Sequence, residues 1–143
     1  GPKCGEGYLS RISGPLMDRF DLRIDVPPVA FGDLDLPSGG ESSATVAKRV
    51  AQARNLQAER YAECPDTRLN ADAEGKALTH ISTPAPSGRE LLIKAANQFG
   101  LAARGYHRVI RVARTIADLD GSQSVLRHHV AEAISYRLSP SAS

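Results

Sequence analysis

Apolar residues recur with helical spacing over most of the second half of the chain. Tyr106, Val109, Ile110, Ala113, Ile116 and Ala117 fall at i, i+3, i+4, i+7, i+10 and i+11, one stripe on a helix of 3.6 residues per turn. That helix is predicted to begin at Ala102 or Ala103 and to stop at Gly121, where a glycine can take the left-handed position after the cap. The same spacing puts Leu91, Leu92, Ala95, Ala96 and Phe99 on a preceding helix that Gly100 ends. Ser87-Gly88-Arg89-Glu90 reads as its capping box, the serine serving the N3 amide and the glutamate the cap amide. A last helix is predicted over about Ser124 to Arg137, with Leu126, Val130, Ala133 and Ile134 inward. Earlier, a helix opens at Ser42 or Ser43, whose hydroxyl caps it, and runs to about Tyr61 with Val46, Val50, Ala53 and Leu56 toward the core. Four helices with short joints and one apolar stripe each predict a small bundle.

The first forty residues follow a different pattern. Tyr8 to Ile12 reads as helical, Gly14-Pro15 interrupts it, and Leu16 to Phe20 makes another short helical turn. Leu22-Arg23-Ile24-Asp25-Val26 alternates apolar and charged residues, the period of a half-buried strand, and Pro27-Pro28 ends it because neither proline donates to a ladder. A solitary strand is not stable in water, so this segment reads as the end of a sheet whose other strands lie upstream. Pro37-Ser38-Gly39-Gly40 has linker composition. Between the first long helix and the second, Asn70 to Leu78 is read as a short helix and Thr83 to Pro86 as a stiff loop. The predicted fold class is mainly α: a four-helix bundle preceded by a short helix-and-strand remnant of an α/β core.

Composition sharpens this. Aromatic residues make up 5% of the chain and there is no Trp, so Leu, Ile, Val and Ala must build the core, which favours packed helices over a β-sandwich. Net charge is +2, from 18 basic and 16 acidic residues, a balance that demands neither nucleic acid nor a membrane as partner. Cys4 and Cys64 make neither a disulfide framework nor a complete metal site; both are expected as reduced thiols. No apolar run approaches the roughly 20 residues that span a bilayer, and the N-terminus lacks a basic stretch followed by an apolar one. The expectation is a cytoplasmic protein with no membrane partner.

Charge is distributed oddly on the clearest helix. Arg104, His107, Arg108 and Arg111 crowd its first half, while Asp118 and Asp120 sit at its end. Both placements oppose the helix macrodipole, and Arg104 and Arg108 are like-charged neighbours one turn apart. One reading is an external anion such as a phosphate, held by the free amides of the helix start and by guanidinium groups. The other is a solvated basic face whose arginines pair with acids on neighbouring helices. Arg19 stands between a Gly-Pro break and the predicted strand, with Asp18 and Asp21 available as simple ion-pair partners. His128-His129 is adjacent, so the two side chains leave a helix about 100° apart and are not expected to chelate one ion. No G-x-x-x-x-G-K-[ST] loop, H-E-x-x-H, paired C-x-x-C or nucleophile elbow occurs.

Tyr8-Leu9-Ser10-Arg11-Ile12-Ser13-Gly14-Pro15-Leu16-Met17-Asp18-Arg19-Phe20-Asp21 and the following Leu22 to Pro27 resemble the end of the ATPase core in magnesium-chelatase-like AAA+ proteins of the ComM/YifB type. Gly40-Glu41-Ser42-Ser43 is similar to that family's entry to its helical lid. Gly105-Tyr106-His107-Arg108 and Val112-Ala113-Arg114-Thr115-Ile116-Ala117-Asp118-Leu119 resemble its lid helix, and His129 to Arg137 its closing helix. The resemblance implies residues 1–27 as the end of the core, 28–41 as linker, 42–138 as lid and 139–143 as a disordered tail. It further implies Arg19 as an arginine finger reaching the γ-phosphate of ATP in the neighbouring subunit, a role worth about 10³-fold or more in rate. Arg104 becomes the sensor-2 residue on the nucleotide of its own subunit, with Arg108 and Arg114 supporting or structural.

ATP and Mg²⁺ are the cofactors implied for the whole protein, in a ring of identical subunits, expected to be a hexamer. The motor implied is a DNA helicase for branch migration in recombination and competence. Two alternatives stand beside it: a chelatase-type motor acting on a protein partner, and a non-enzymatic helical module that binds DNA through its arginine face. Without Walker A and Walker B motifs this chain alone is expected to be inactive, free of cofactor and monomeric.

Overall fold

A computed structural model of the chain describes residues 11–37 and 39–137. The described helices are α1 (Gly14–Met17), α2 (Ser43–Arg60), α3 (Gly75–Ser82), α4 (Pro86–Phe99), α5 (Ala103–Leu119) and α6 (Arg127–Arg137), with 3₁₀ turns at Phe31–Asp33 and Asn70–Asp72. The molecule is mainly α, and the only strand-like pairing among the described residues is an isolated bridge between Pro84 and Val125. α5 is the central element: it touches α2, α3, α6 and the 3₁₀ turn at Asn70, while α4 packs on α6. Leu92, Val109, Ala113, Ala117, Val125, Val130 and Ala133 are buried at its contacts, the aliphatic core expected of a chain without tryptophan.

At Ser42, Gly100 and Gly121 sequence and structure agree. Ser42 caps α2, its Oγ accepting from the Thr45 amide at 3.2 Å. Gly100 (φ 63°) ends α4, and Gly121 (φ 67°) follows the cap of α5. Around Gly121 the Ser122 N–H donates to the Ala117 carbonyl at 2.8 Å and the Gly121 N–H to the Asp118 carbonyl at 3.1 Å, the paired closure that a left-handed residue permits. The α5 stripe is as predicted: Val109, Ile110, Ala113, Ile116 and Ala117 are buried, with Tyr106 half-buried against them.

Several expectations are corrected. Leu22 to Val26 form no strand; Ile24 is 68% and Val26 86% exposed, and the Arg23 N–H donates to the Tyr136 carbonyl instead of to a ladder. No neighbouring strand exists among the described residues, and without one an alternating sequence has nothing to pair with. Ser87 is not a cap. Pro86 occupies the first helical position, where its fixed φ suits the start, and the Ala85 N–H is already bonded to the Val125 carbonyl at 2.8 Å. That same bridge keeps Val125 extended, so α6 begins at Arg127 rather than Ser124 and Leu126 stays exposed. On α2 only Ala53 and Gln57 are buried; Val46 and Val50 are exposed in the first half of the helix, where no residue is buried, and Leu56, beside Gln57, is exposed as well. The short helix read at Asn70 to Leu78 divides into the 3₁₀ turn and α3. The helix expected over Tyr8 to Ile12 lies largely outside the described residues, as do Cys4 and the tail 139–143. No described helix is long and apolar enough to cross a membrane.

A buried carboxylate ties these elements together. Asp118 Oδ1 and Oδ2 accept from Arg60 Nη2 and Nη1 at 2.5 and 2.8 Å, Arg114 Nε donates to Oδ1 at 3.1 Å, and Asn70 Nδ2 donates to Oδ2 at 2.9 Å. Asn70 is held in turn: its Oδ1 accepts from Tyr61 Oη and Arg60 Nη1, and its amide donates to Gln57 Oε1. Arg114 also donates to the Ser122 and Gln123 carbonyls, fixing the turn behind Gly121. Burial alone would raise the Asp118 carboxyl, but the hydrogen bonds from Arg60 and Asn70 and the guanidinium charges hold it below its ordinary value. The two arginines respond in opposite directions. Hydrogen bonding to Asp118 raises Arg60 while burial lowers Arg114, and both stay charged at neutral pH.

Replacing Asp118 by Asn leaves two arginines facing a neutral group in the interior, and is expected to cost about 3–5 kcal/mol by urea unfolding. Because the folded pKa lies below the unfolded one, the Asp118 contribution is full above the unfolded carboxylate value of about 3.9 and is lost as pH falls through the folded value. The acid arm of a stability–pH curve should therefore be shallower in Asp118→Asn than in the parent chain.

Candidate functional site

Basic residues gather where α5 begins. Its cap residue Ala102 offers no side-chain hydrogen bond, so the first amides of the helix stay open to a ligand or water. Arg104, His107, Arg108 and Arg111 line an open cleft of about 450 Å³ together with Glu74, Gly75 and Leu78 at the start of α3. The two readings of this cluster divide it residue by residue. Arg108 Nη1 bonds Asp21 Oδ1 at 2.6 Å. Arg111 Nε donates to the Ala73 carbonyl at 2.9 Å, with its Nη2 3.9 Å from Glu74. Arg104 and His107 are exposed, and no ion pair among the described residues includes either. Arg108 Nε, like Arg23 Nε, is buried without a hydrogen-bond partner.

Arg19 follows α1 on a turn, its N–H donating to the Leu16 carbonyl at 3.0 Å. It is exposed and takes part in no ion pair among the described residues. The aspartates beside it are engaged elsewhere, Asp21 with Arg108 and Asp18 with Arg137 at 3.5 Å. The simple local pairing considered for Arg19 is thus absent from the structure, while Arg114 belongs to the Asp118 network.

At the other end of α5, His128 and His129 do come together, contrary to the helical spacing argument. Their ring centroids lie 4.0 Å apart, and their Nε2 atoms are 3.5 and 2.9 Å from Asp120 Oδ2. The three ligand-type atoms fall within 4.8 Å of one another. Hydrogen bonding decides what they do. His129 is fully buried, and its Nδ1 accepts from the Leu126 N–H at 3.0 Å. The neutral ring therefore carries its proton on Nε2, facing Asp120. A metal on Nε2 would need that proton to leave and the Leu126 N–H to lose its acceptor. His129 serves instead as the third residue of α6 reaching back to the cap amide, the role a glutamate has in a capping box. Sequence reasoning missed this because a capping box is recognised by Glu or Gln at the third helical position, not by histidine.

Comparison with known proteins fits this architecture. The family described as magnesium chelatase, subunit ChlI C-terminal, matches residues 40–137, and the one described as magnesium chelatase, subunit ChlI, matches residues 1–34. The chain belongs to the magnesium chelatase ChlI C-terminal family. It is 41% identical over 131 residues to the competence protein ComM of Haemophilus influenzae, and 40% identical over 131 residues to the uncharacterized protein YifB of Salmonella typhimurium. YifB of Escherichia coli is 38% identical over 133 residues. Each alignment covers 91% of this chain and 25% of the relative, so the chain spans about a quarter of the length of the proteins it matches.

His129→Leu removes both partners of the ring and is expected to lower stability by about 1–3 kcal/mol in urea unfolding, whereas His129→Gln, which can still reach the Leu126 amide, should lose less. Zinc titrated into the chain should bind no more tightly than to Asp120→Asn; a stoichiometric site abolished by that change would refute the capping assignment.

Proposed function

We propose that residues 1–27 end the nucleotide-binding core of an AAA+ ring ATPase, that residues 28–41 link it onward, and that residues 42–138 form its helical lid. In this reading Arg19 is the finger that reaches the ATP bound by the neighbouring subunit, and Arg104 is the lid residue that contacts nucleotide phosphate, with Arg108 in support. The observation that carries it is the division among the arginines. Arg60, Arg108, Arg111, Arg114 and Arg137 all have acidic or carbonyl partners within the chain. Among the exposed arginines outside the ion pairs, which include Arg11, Arg19, Arg54, Arg68, Arg89 and Arg104, Arg104 lines the basic cleft at the start of α5 and Arg19 sits on the turn whose Asp21 meets Arg108. A guanidinium group left in solvent at either of these two places is suited to an anion that arrives from outside.

ATP with Mg²⁺ would supply the phosphoryl group and part of the charge neutralisation during its transfer. Arg104 stands at the open start of α5, where the uncapped helix amides favour an anion. Arg19 would add positive charge to the transferring phosphoryl group, where the transition state spreads negative charge. The Mg²⁺ ligands and the phosphate-cradling loop belong to motifs that this sequence does not contain, so the activity proposed is that of the longer protein. The relative named as a competence protein supports a role in competence; the motor proposed for that role acts on DNA as a ring of identical subunits in the cytoplasm. A DNA-binding module built on the arginine face alone has less support, because Asp21 and Glu74 already offset two of its arginines.

In the full-length protein, Arg19→Ala should lower ATP turnover by about 10³-fold while nucleotide affinity is retained. Arg104→Ala should weaken nucleotide binding and turnover together. ATPase assays with and without branched DNA, beside nucleotide-binding titrations, check both. Near-normal turnover in Arg19→Ala would remove the finger, and unchanged affinity and turnover in Arg104→Ala would remove the phosphate contact.

A further inference from the structure

Four contacts fasten the turn that carries Arg19 to helices more than eighty residues away in sequence. Arg137 Nη1 donates to the Phe20 carbonyl at 3.2 Å, and its Nη2 lies 3.5 Å from Asp18 Oδ1. The Arg23 N–H donates to the Tyr136 carbonyl at 2.8 Å, and Arg108 Nη1 to Asp21 Oδ1 at 2.6 Å. Residues 18, 20, 21 and 23 are each held, and Arg19 projects from among them into solvent. Arg137 itself is only 7% exposed. It can lie there because position 105 has no side chain: a Cβ on Gly105 would come 3.0 Å from Arg137 Nη2 and 3.2 Å from its Nε. A guanidinium buried for one carbonyl and one long contact to an exposed carboxylate gains little stability from its charge. What it does gain is a fixed relation between two parts of the chain.

We propose that Arg137, seated on Gly105 and aided by Arg108, is a positioning residue that clamps the Arg19 turn to α5 and α6. This rests on the finger reading of Arg19. The clamp makes Arg19 move with the lid helices, so the charge offered to the neighbouring subunit is set by where the lid stands. A reacting group displaced by about 1 Å can lose about 100-fold in rate, which is the scale of effect the clamp guards against.

The test is made in the full-length protein with Arg137→Gln, Gly105→Ala and Arg137→Lys, reading kcat, KM, nucleotide affinity and hydrogen exchange of the peptide covering residues 18–23. In Arg137→Gln and Gly105→Ala, kcat is expected to fall about 10- to 100-fold with KM and affinity unchanged. Exchange in 18–23 should quicken while that of α5 does not, and Arg137→Lys should recover part of the rate. In an Arg19→Ala background Arg137→Gln should have no further effect on kcat, because both act through one guanidinium. Should Arg137→Gln fail to fold, the double change Asp18→Asn with Asp21→Asn releases the same turn from its exposed side, and should reproduce the kcat loss and the faster exchange. An unchanged kcat in the folded variants, or losses that add to those of Arg19→Ala, overturns the clamp while leaving the finger intact. Normal turnover in Arg19→Ala overturns the finger and the clamp with it.

Discussion

The position of every other group depends on one desolvated carboxylate. Asp118 has no exposed side-chain surface and lies within hydrogen-bond reach of Arg60 from α2, Asn70 from the 3₁₀ turn and Arg114 from its own helix. Each partner approaches from a different direction, and a buried charge tolerates little loss of any of them. α2, the 3₁₀ turn and the loop behind Gly121 therefore have one relative arrangement. Arg104 lies fourteen residues before Asp118 on α5, about 21 Å along a rigid helix. Pinning one end of that helix orients the basic cleft at the other and sets where Gly105 receives Arg137.

Most of the bundle was legible because period and punctuation agreed. The α5 stripe, the Ser42 cap and the stops at Gly100 and Gly121 need only local rules. What failed depended on partners distant in sequence. Leu22 to Val26 alternates like a strand but has no neighbour to pair with, and Ser87 lost the cap to Pro86 once Ala85 bonded Val125. The first turns of α2 are apolar on one side, yet Val46 and Val50 extend beyond the bundle that would cover them. Periodicity identifies a face, not what lies opposite it.

The cleft was legible in part, for a related reason. Arginines at the start of α5 and aspartates at its end both contradict the helix dipole, and that contradiction was visible from the chain alone. Its resolution was not. Asp118 is met by Arg60 and Arg114, Asp120 by His129, Arg108 by Asp21, and Arg111 by a carbonyl. Sequence spacing marks charges that need an answer; only the fold tells which are answered within the molecule. Arg114 and Asp118 carry the i, i+4 opposite-charge spacing that could have flagged them as a structural pair.

The hold of Arg137 on residues 18 to 20 joins the earliest described segment to the last described helix. During synthesis the turn at Arg19 leaves the ribosome more than a hundred residues before its anchor does. At about 5–20 residues per second, it waits several seconds before Tyr136 and Arg137 emerge to hold it. Its attachment must wait for α6, and a chain whose translation stops short of that helix never acquires it.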